Sequence, residues 1–203
     1  MRSHTLTFVL AFFSACAAAQ AREPVRSLLE MRQENVVIQK WDVSCGAAAL
    51  ATILHYQHGD PVDEKSVAEG MLRRTDPLRV KFRGGFSLLD LKRYADSRGL
   101  TARAYLSVQL DDLERFGAAI VPVDFRGYPH FVVFRGRIGN SILLADPAFG
   151  NRVVDVQRFE RAWQQNIAFV VSRTDGSPAP HTLGIRAADF VSAPAPTLRQ
   201  LVR

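Results

Sequence analysis

Apolar residues change their spacing about halfway along this chain. From Cys45 the run Cys-Gly-Ala-Ala-Ala-Leu-Ala-Thr-Ile-Leu is apolar and rich in alanine, with Asp42 and Ser44 upstream as cap-like residues. It predicts a buried helix with Cys45 at its amino terminus. A second helix is expected from about Asp63 through Val67 and Met71, and a third from Leu88 to Ser97, where Ser87 and Asp90 resemble a capping box and Gly99 fits the stop. Beyond that point the runs Thr101 to Leu106, Ala119 to Phe125, Phe131 to Arg135, Ile142 to Ala145 and Ile167 to Ser172 are short, apolar or alternating, and separated by Gly, Pro and Asn. Those are strands, with Gly139-Asn140 as a hairpin turn, and Val156 to Trp163 reads as one more helix before the last of them. Helices first and a mostly antiparallel sheet afterwards is the order of an α+β domain.

Composition narrows the setting. The 203 residues are 47% hydrophobic and 23% charged, which suits one domain with short appendages. A basic start at Arg2, the apolar stretch Leu6 to Phe13 and the small-x-small end Ala19-Gln20-Ala21 read as a secretory signal peptide over residues 1–21. No window supplies the roughly 20 apolar residues of a transmembrane helix, so no span is expected and the mature chain is placed in the periplasm or outside the cell. Phe13-Ser14-Ala15-Cys16 approximates a lipoprotein box, which offers lipid anchoring at Cys16 as the less favoured route. Residues 22–35 form an amino-terminal arm, 36–173 the folded domain, and 174–203, with Pro178, Pro180, Pro194 and Pro196, an extended or flexible tail. The formal charge of +6 permits weak attraction to anionic surfaces or acidic peptides. Nucleic acid is not expected, because the basic residues carry no interleaved aromatic motif.

Signal cleavage would leave Cys45 as the one cysteine of the mature chain. An isolated free cysteine is more often a buried core residue, but its position here favours a thiolate, since a helix amino terminus and a nearby imidazolium both stabilise one. His130 opens the strand His-Phe-Val-Val-Phe directly after the turn Arg126-Gly127-Tyr128-Pro129, and Asp146 follows the next strand of the same hairpin. A base of this kind needs an acceptor that fixes its tautomer, and adjacent antiparallel strands can bring the two together. The amide of Gln39, six residues before Cys45, can join the Cys45 backbone N–H in stabilising an oxyanion.

These residues carry a resemblance. Gln39-x5-Cys45-Gly46-Ala47-Ala48-Ala49-Leu50, His130-Phe131-Val132-Val133 and Ala145-Asp146-Pro147 are similar to the peptidase domain of the bacteriocin-processing, double-glycine-leader cysteine peptidases. Gly85 to Leu91 and Phe159-x3-Trp163 resemble further segments of that family over roughly Val36 to Ser172. The resemblance implies a papain-like fold, a triad of Cys45, His130 and Asp146, an oxyanion donor in Gln39, and neither metal nor organic cofactor. It also implies a peptide or protein substrate. The chain departs from the exporter-linked members in having no predicted span or ATPase and in placing Asp42 three residues before the cysteine, and so looks more like stand-alone exported members. Some of those accompany secretion systems for fibre-forming proteins, which suggests a leader or fibre-forming export substrate and secretion-system components as partners. Two other readings stay open: a module that grips such a substrate without cutting it, and a cell-wall peptide hydrolase or transglutaminating enzyme on a similar fold.

The remaining polar clusters have plainer readings. His55 and His58 lie three apart on the first helix but lack an acidic or cysteine partner at ligand spacing, and read as helix-end residues. Arg73, Arg74, Arg79, Lys81 and Arg83 read as a solvated loop, with a docking rim for an acidic peptide as the functional alternative.

Overall fold

The computed structural model describes residues 27–125, 127–181, 183–185 and 189. The expected signal peptide, with Cys16, lies outside them, as does most of the distal tail.

Five helices come first: α1 (Leu28–Arg32), α2 (Cys45–Tyr56), α3 (Glu64–Leu72), α4 (Pro77–Arg83) and α5 (Leu88–Ser97). The second half holds β1 (Leu100–Tyr105), α6 (Leu110–Phe116), β2 (Ala119–Asp124), β3 (Pro129–Ile138), β4 (Ser141–Asp146), β5 (Gly150–Asp155), α7 (Val156–Ala162) and β6 (Ala168–Arg173). The strands form one antiparallel sheet in the order β1-β6-β2-β3-β4-β5. The sheet is covered on both faces, and its residues alternate accordingly. Ile120, Val133, Ala145 and Phe169 pack with Leu50, Ile53, Met71 and Leu91 of the helical layer. Val121, Val132, Phe134 and Leu144 pack with Leu113 of α6 and Phe159 of α7 on the other side. Double coverage explains why β2 reads as nearly unbroken apolar text although it is antiparallel.

α2 is the buried spine of the helical layer, with Gly46 through Leu54 all buried. Its neighbours approach closely: a Cβ on Gly70 of α3 would stand 2.2 Å from the Tyr94 ring of α5. The predicted caps of α3 and α5 are present, with Asp63 accepting from the Ser66 N–H and Ser87 and Asp90 forming a reciprocal capping box. Two expectations need correction. Ser44 stands at the N-cap of α2 but makes no capping bond, because its hydroxyl donates to Trp41 O and Glu64, and Asp42 is exposed. The basic stretch read as a loop contains α4, which starts with an Asp76 cap and Pro77 and ends at Gly84 in the left-handed region. In the proximal tail His181 N–H donates to Gln57 O, and Leu183 is 2% exposed within the core that also holds the buried residues of α2. Arg135, itself buried, donates to Leu183 O and Asn151 Oδ1 and pairs with Asp189. Among the described residues no helix is long and apolar enough to cross a membrane.

Candidate active site

Cys45 opens α2, where the backbone N–H groups of a first helical turn have no partners within the helix. Gly46 beside it is closely packed: a Cβ there would lie 3.2 Å from Leu91 Cδ1 and 3.3 Å from Phe131 Cδ2. Tight seating of the helix end against α5 and β3 brings the thiol to the start of β3. There Val123 pairs with His130, and further along β3 Val133 pairs with Ala145, so the Pro129 end of β3 runs beside the Asp146 end of β4.

His130 Nε2 lies 2.8 Å from Asp146 Oδ1, with both side chains almost wholly buried. Asp146 Oδ1 also accepts from the Ala148 N–H at 2.9 Å, and Oδ2 accepts from Arg152 at 3.1 Å. The second ring nitrogen, Nδ1, is buried and makes no hydrogen bond of full geometry, which leaves it as the nitrogen available to Cys45.

The charges of this cluster are mutually supporting. Burial alone would push the Cys45 thiol up. The interaction with His130 and the N–H groups of Phe131 and Gly46 outweigh it, so the thiol titrates below its ordinary value. Burial likewise opposes an imidazolium at His130, yet the bond to Asp146 and the approach of Cys45 raise it to about 9. Asp146, despite its burial, is held below the usual carboxylate range by His130, the Ala148 N–H and Arg152. A thiolate–imidazolium pair backed by a carboxylate is the state these shifts favour.

Gln39 approaches by another route. Its backbone N–H donates to Pro147 O at 2.9 Å, tying the segment before Cys45 to the turn after Asp146. Its side-chain amide donates to Trp41 O at 3.1 Å and makes no hydrogen bond with Cys45, while Oε1 is buried without a partner. Glu64, which carries no motif of its own, holds both ends of this segment: its carboxylate accepts from the Lys40 N–H and from the Ser44 hydroxyl. Arg152 is the second residue that sequence reasoning missed. The one signal for it was a lone arginine six residues past Asp146.

A cleft of about 350 Å³ opens over Cys45 and His130, bounded by Gly84, Gly85 and Phe86 after α4 and by Gln164. Gln164 is set there by the Phe159-x3-Trp163 segment. The two rings pack at 5.3 Å, Trp163 bridges to Val123, and its indole N–H donates to Ile167 O. A larger depression of about 450 Å³ lies elsewhere, beside the Arg98–Asp60 and Arg173–Asp175 pairs, and does not reach Cys45. His55 stacks on Tyr56, and a ring nitrogen of His58 meets Val171 O at 3.2 Å. Among the described residues no cluster of His, Cys, Asp and Glu could hold a metal ion.

The fold is that of papain-like peptidase domains, with amino-terminal helices packed on a carboxy-terminal antiparallel sheet. The chain belongs to the Peptidase C39 family, whose model matches residues 33–175. It is 44% identical over 149 residues to a Pseudomonas aeruginosa protein described as "Probable functional amyloid protease FapD", and 42% identical over 148 residues to the Pseudomonas fluorescens protein of the same description. Each alignment covers 72% of this chain and 64% of the relative, so the chain matches less than two thirds of those proteins' length. Among solved structures it is similar to a double glycine motif protease from an AMS/PCAT transporter in complex with the leader peptide. That match has a TM-score of 0.57 and 27% identity, covering 68% of this chain and 91% of that one. The peptidase domain of Streptococcus ComA superposes with a TM-score of 0.55 at 21% identity over 68% of this chain and 98% of that domain, a likeness of fold.

Proposed function

We propose that this protein is an exported cysteine endopeptidase that cuts a peptide bond in a secreted or exported protein, with Cys45 as nucleophile, His130 as base and Asp146 as its orienting carboxylate. The observation that carries the reading is the buried His130–Asp146 bond at 2.8 Å facing a thiol at a helix amino terminus, at the floor of an open cleft. The thiolate Sγ attacks the substrate carbonyl carbon while His130 Nδ1 holds the proton taken from the thiol. Collapse of the tetrahedral intermediate breaks the C–N bond, and His130 gives its proton to the leaving amine. Water, deprotonated by His130, then attacks the thioester, releasing the new carboxyl terminus and restoring the thiol. The Cys45 backbone N–H and a donor from Gln39 serve the oxyanion.

The relatives described as functional amyloid proteases and the transporter protease held with a leader peptide both support a protein substrate met in the course of secretion. The signal-peptide pattern of residues 1–21 supports a site of action beyond the cytoplasm. The test is incubation of the purified chain with a diverse peptide library and with the secreted proteins of its own host, read by mass spectrometry of new termini. Cleavage that disappears in Cys45→Ala is expected. Cleavage that persists at wild-type rate in that variant contradicts the assignment.

A further inference from the structure

We infer that Arg152 is a positioning residue of this site: through its bond to Asp146 it keeps the carboxylate ionised and aimed at His130, so that the Cys45–His130 ion pair survives at acid pH. The inference rests on the triad reading above and deepens it.

Its basis is the division of labour at the two carboxylate oxygens. Oδ1 is shared between His130 Nε2 and the Ala148 N–H, whereas among the described residues Arg152 at 3.1 Å is the one partner of Oδ2. The Asp146 side chain is 0% exposed and that of Arg152 is 12% exposed. An ionised carboxylate in such a place needs a compensating group at each oxygen, because water cannot supply one. Arg152 is itself fixed: its guanidinium lies 4.7 Å from the centroid of the Phe125 ring and 5.7 Å from that of Phe149. A cation over two aromatic faces has few other places to go. Phe149 is held in turn, since its carbonyl accepts from Arg32 at 2.7 Å and its N–H donates to Asp146 O. β5 thus delivers an arginine, by way of two rings, to the back of the site.

The charged groups facing Asp146 are His130 from β3 and Arg152 from β5. Farther out, Arg158 of α7 lies over the same Phe125 ring at 5.7 Å, Arg32 of α1 engages the Phe149 carbonyl, and Asp124 closes β2 opposite Pro129. Removing Arg152 would leave Oδ2 buried without a donor, and the carboxylate would then take up a proton at higher pH or turn away from His130. Either change removes the support of the imidazolium and, through it, of the thiolate. The opposing effect is relief of the repulsion between two cations, which is the weaker because the carboxylate stands between them.

The test is the pH dependence of Cys45 alkylation by iodoacetamide in the wild-type protein, Arg152→Gln and Arg152→Lys, with folding of each checked by near-ultraviolet circular dichroism. The acid limb of the profile should move up by about one pH unit or more in Arg152→Gln, the scale on which a neighbouring opposite charge shifts a carboxylate. Arg152→Lys, which retains the charge, should stay within a few tenths of a unit of wild type. A limb unmoved or moved down in folded Arg152→Gln overturns the inference. Should Arg152→Gln fail to fold, a limb displaced by a full unit in Arg152→Lys overturns it equally. A wild-type profile with no reactivity below the range of an ordinary thiol instead takes down the triad reading on which it rests.

Discussion

At the level of single residues, chemistry and its supports differ in how openly the chain declares them. Cys45, His130 and Asp146 announce themselves because each sits at an element boundary: a helix start, a strand start, a strand end. Glu64 and Arg152 do not, since what they do depends on partners reached only through the fold. Lys40 is 24 residues from Glu64, and Arg152 owes its orientation to Phe125 across the sheet. Gln39 lies between these cases. Its place in the sequence suggests an oxyanion donor, while one of its amide N–H groups is committed to Trp41 O, leaving one to give. Replacing it by Ala should lower kcat on the order of a hundredfold and leave Cys45 alkylation unchanged, because alkylation develops no oxyanion. A loss of tenfold or less would assign the amide to bracing the Trp41 turn instead.

At the level of elements, α2, α3, α5 and α7 and five of the six strands stand where periodicity puts them, with the expected caps present at α3 and α5, to within a residue or two at most ends. β3 is the main exception, running on through Arg135 to Ile138. β5 escaped because Gly150-Asn151-Arg152-Val153-Val154-Asp155 mixes glycine and charge and lies on an edge, where only one neighbour rewards pairing. α4 escaped for a different reason. Three of the stretch's five basic residues, Arg79, Lys81 and Arg83, lie within it, and the charge masks the capping signals at Asp76-Pro77 and Gly84. This helix matters to the site because Gly84 and Gly85, which follow it, form one wall of the cleft, and Arg83 bonds Asp90 of α5 at 3.0 Å. The docking-rim alternative for the basic stretch therefore concerns a helix rather than a loop. Because α4 buries little besides Val80, it depends on its ends. Loss of the Asp76 cap in Asp76→Ala should cost about 1 kcal/mol, measurable as a lower urea midpoint. No change in midpoint would mean that contacts from the following segment, not the cap, hold the helix.

Across the whole molecule, the candidate site is a junction: α2 brings Cys45 from the helical layer, and the β3–β4 hairpin brings His130 and Asp146 from the sheet. This geometry couples folding to protonation in a predictable direction. His130 has its folded pKa raised from 6.5 to about 9, so its stabilising contribution is full below about pH 6.5 and is lost as pH rises through about 9. Cys45 has its folded pKa lowered from 9.0, so its contribution is full above about pH 9 and is lost as pH falls through its folded value. Above both pH 6.5 and the lowered Cys45 value, and up to about pH 9, one contribution falls while the other grows, because there the folded pair and the unfolded residues bind the same number of protons. The ion pair itself should thus leave stability nearly flat in that window. In Cys45→Ala the compensation is gone, and stability relative to wild type should fall as pH rises above 6.5. Urea unfolding of both proteins at pH 6.5 and 9 reads the difference directly, and parallel changes in the two would contradict the coupling.

The most direct measurement is the rate of Cys45 alkylation by iodoacetamide against pH, in the wild-type protein and in His130→Ala. A pair formed as described predicts reactivity that persists well below the ordinary thiol range of about 8.5 in the wild type and is lost at low pH in the variant. A thiol that titrates alike in both proteins, or reacts in neither, would contradict it.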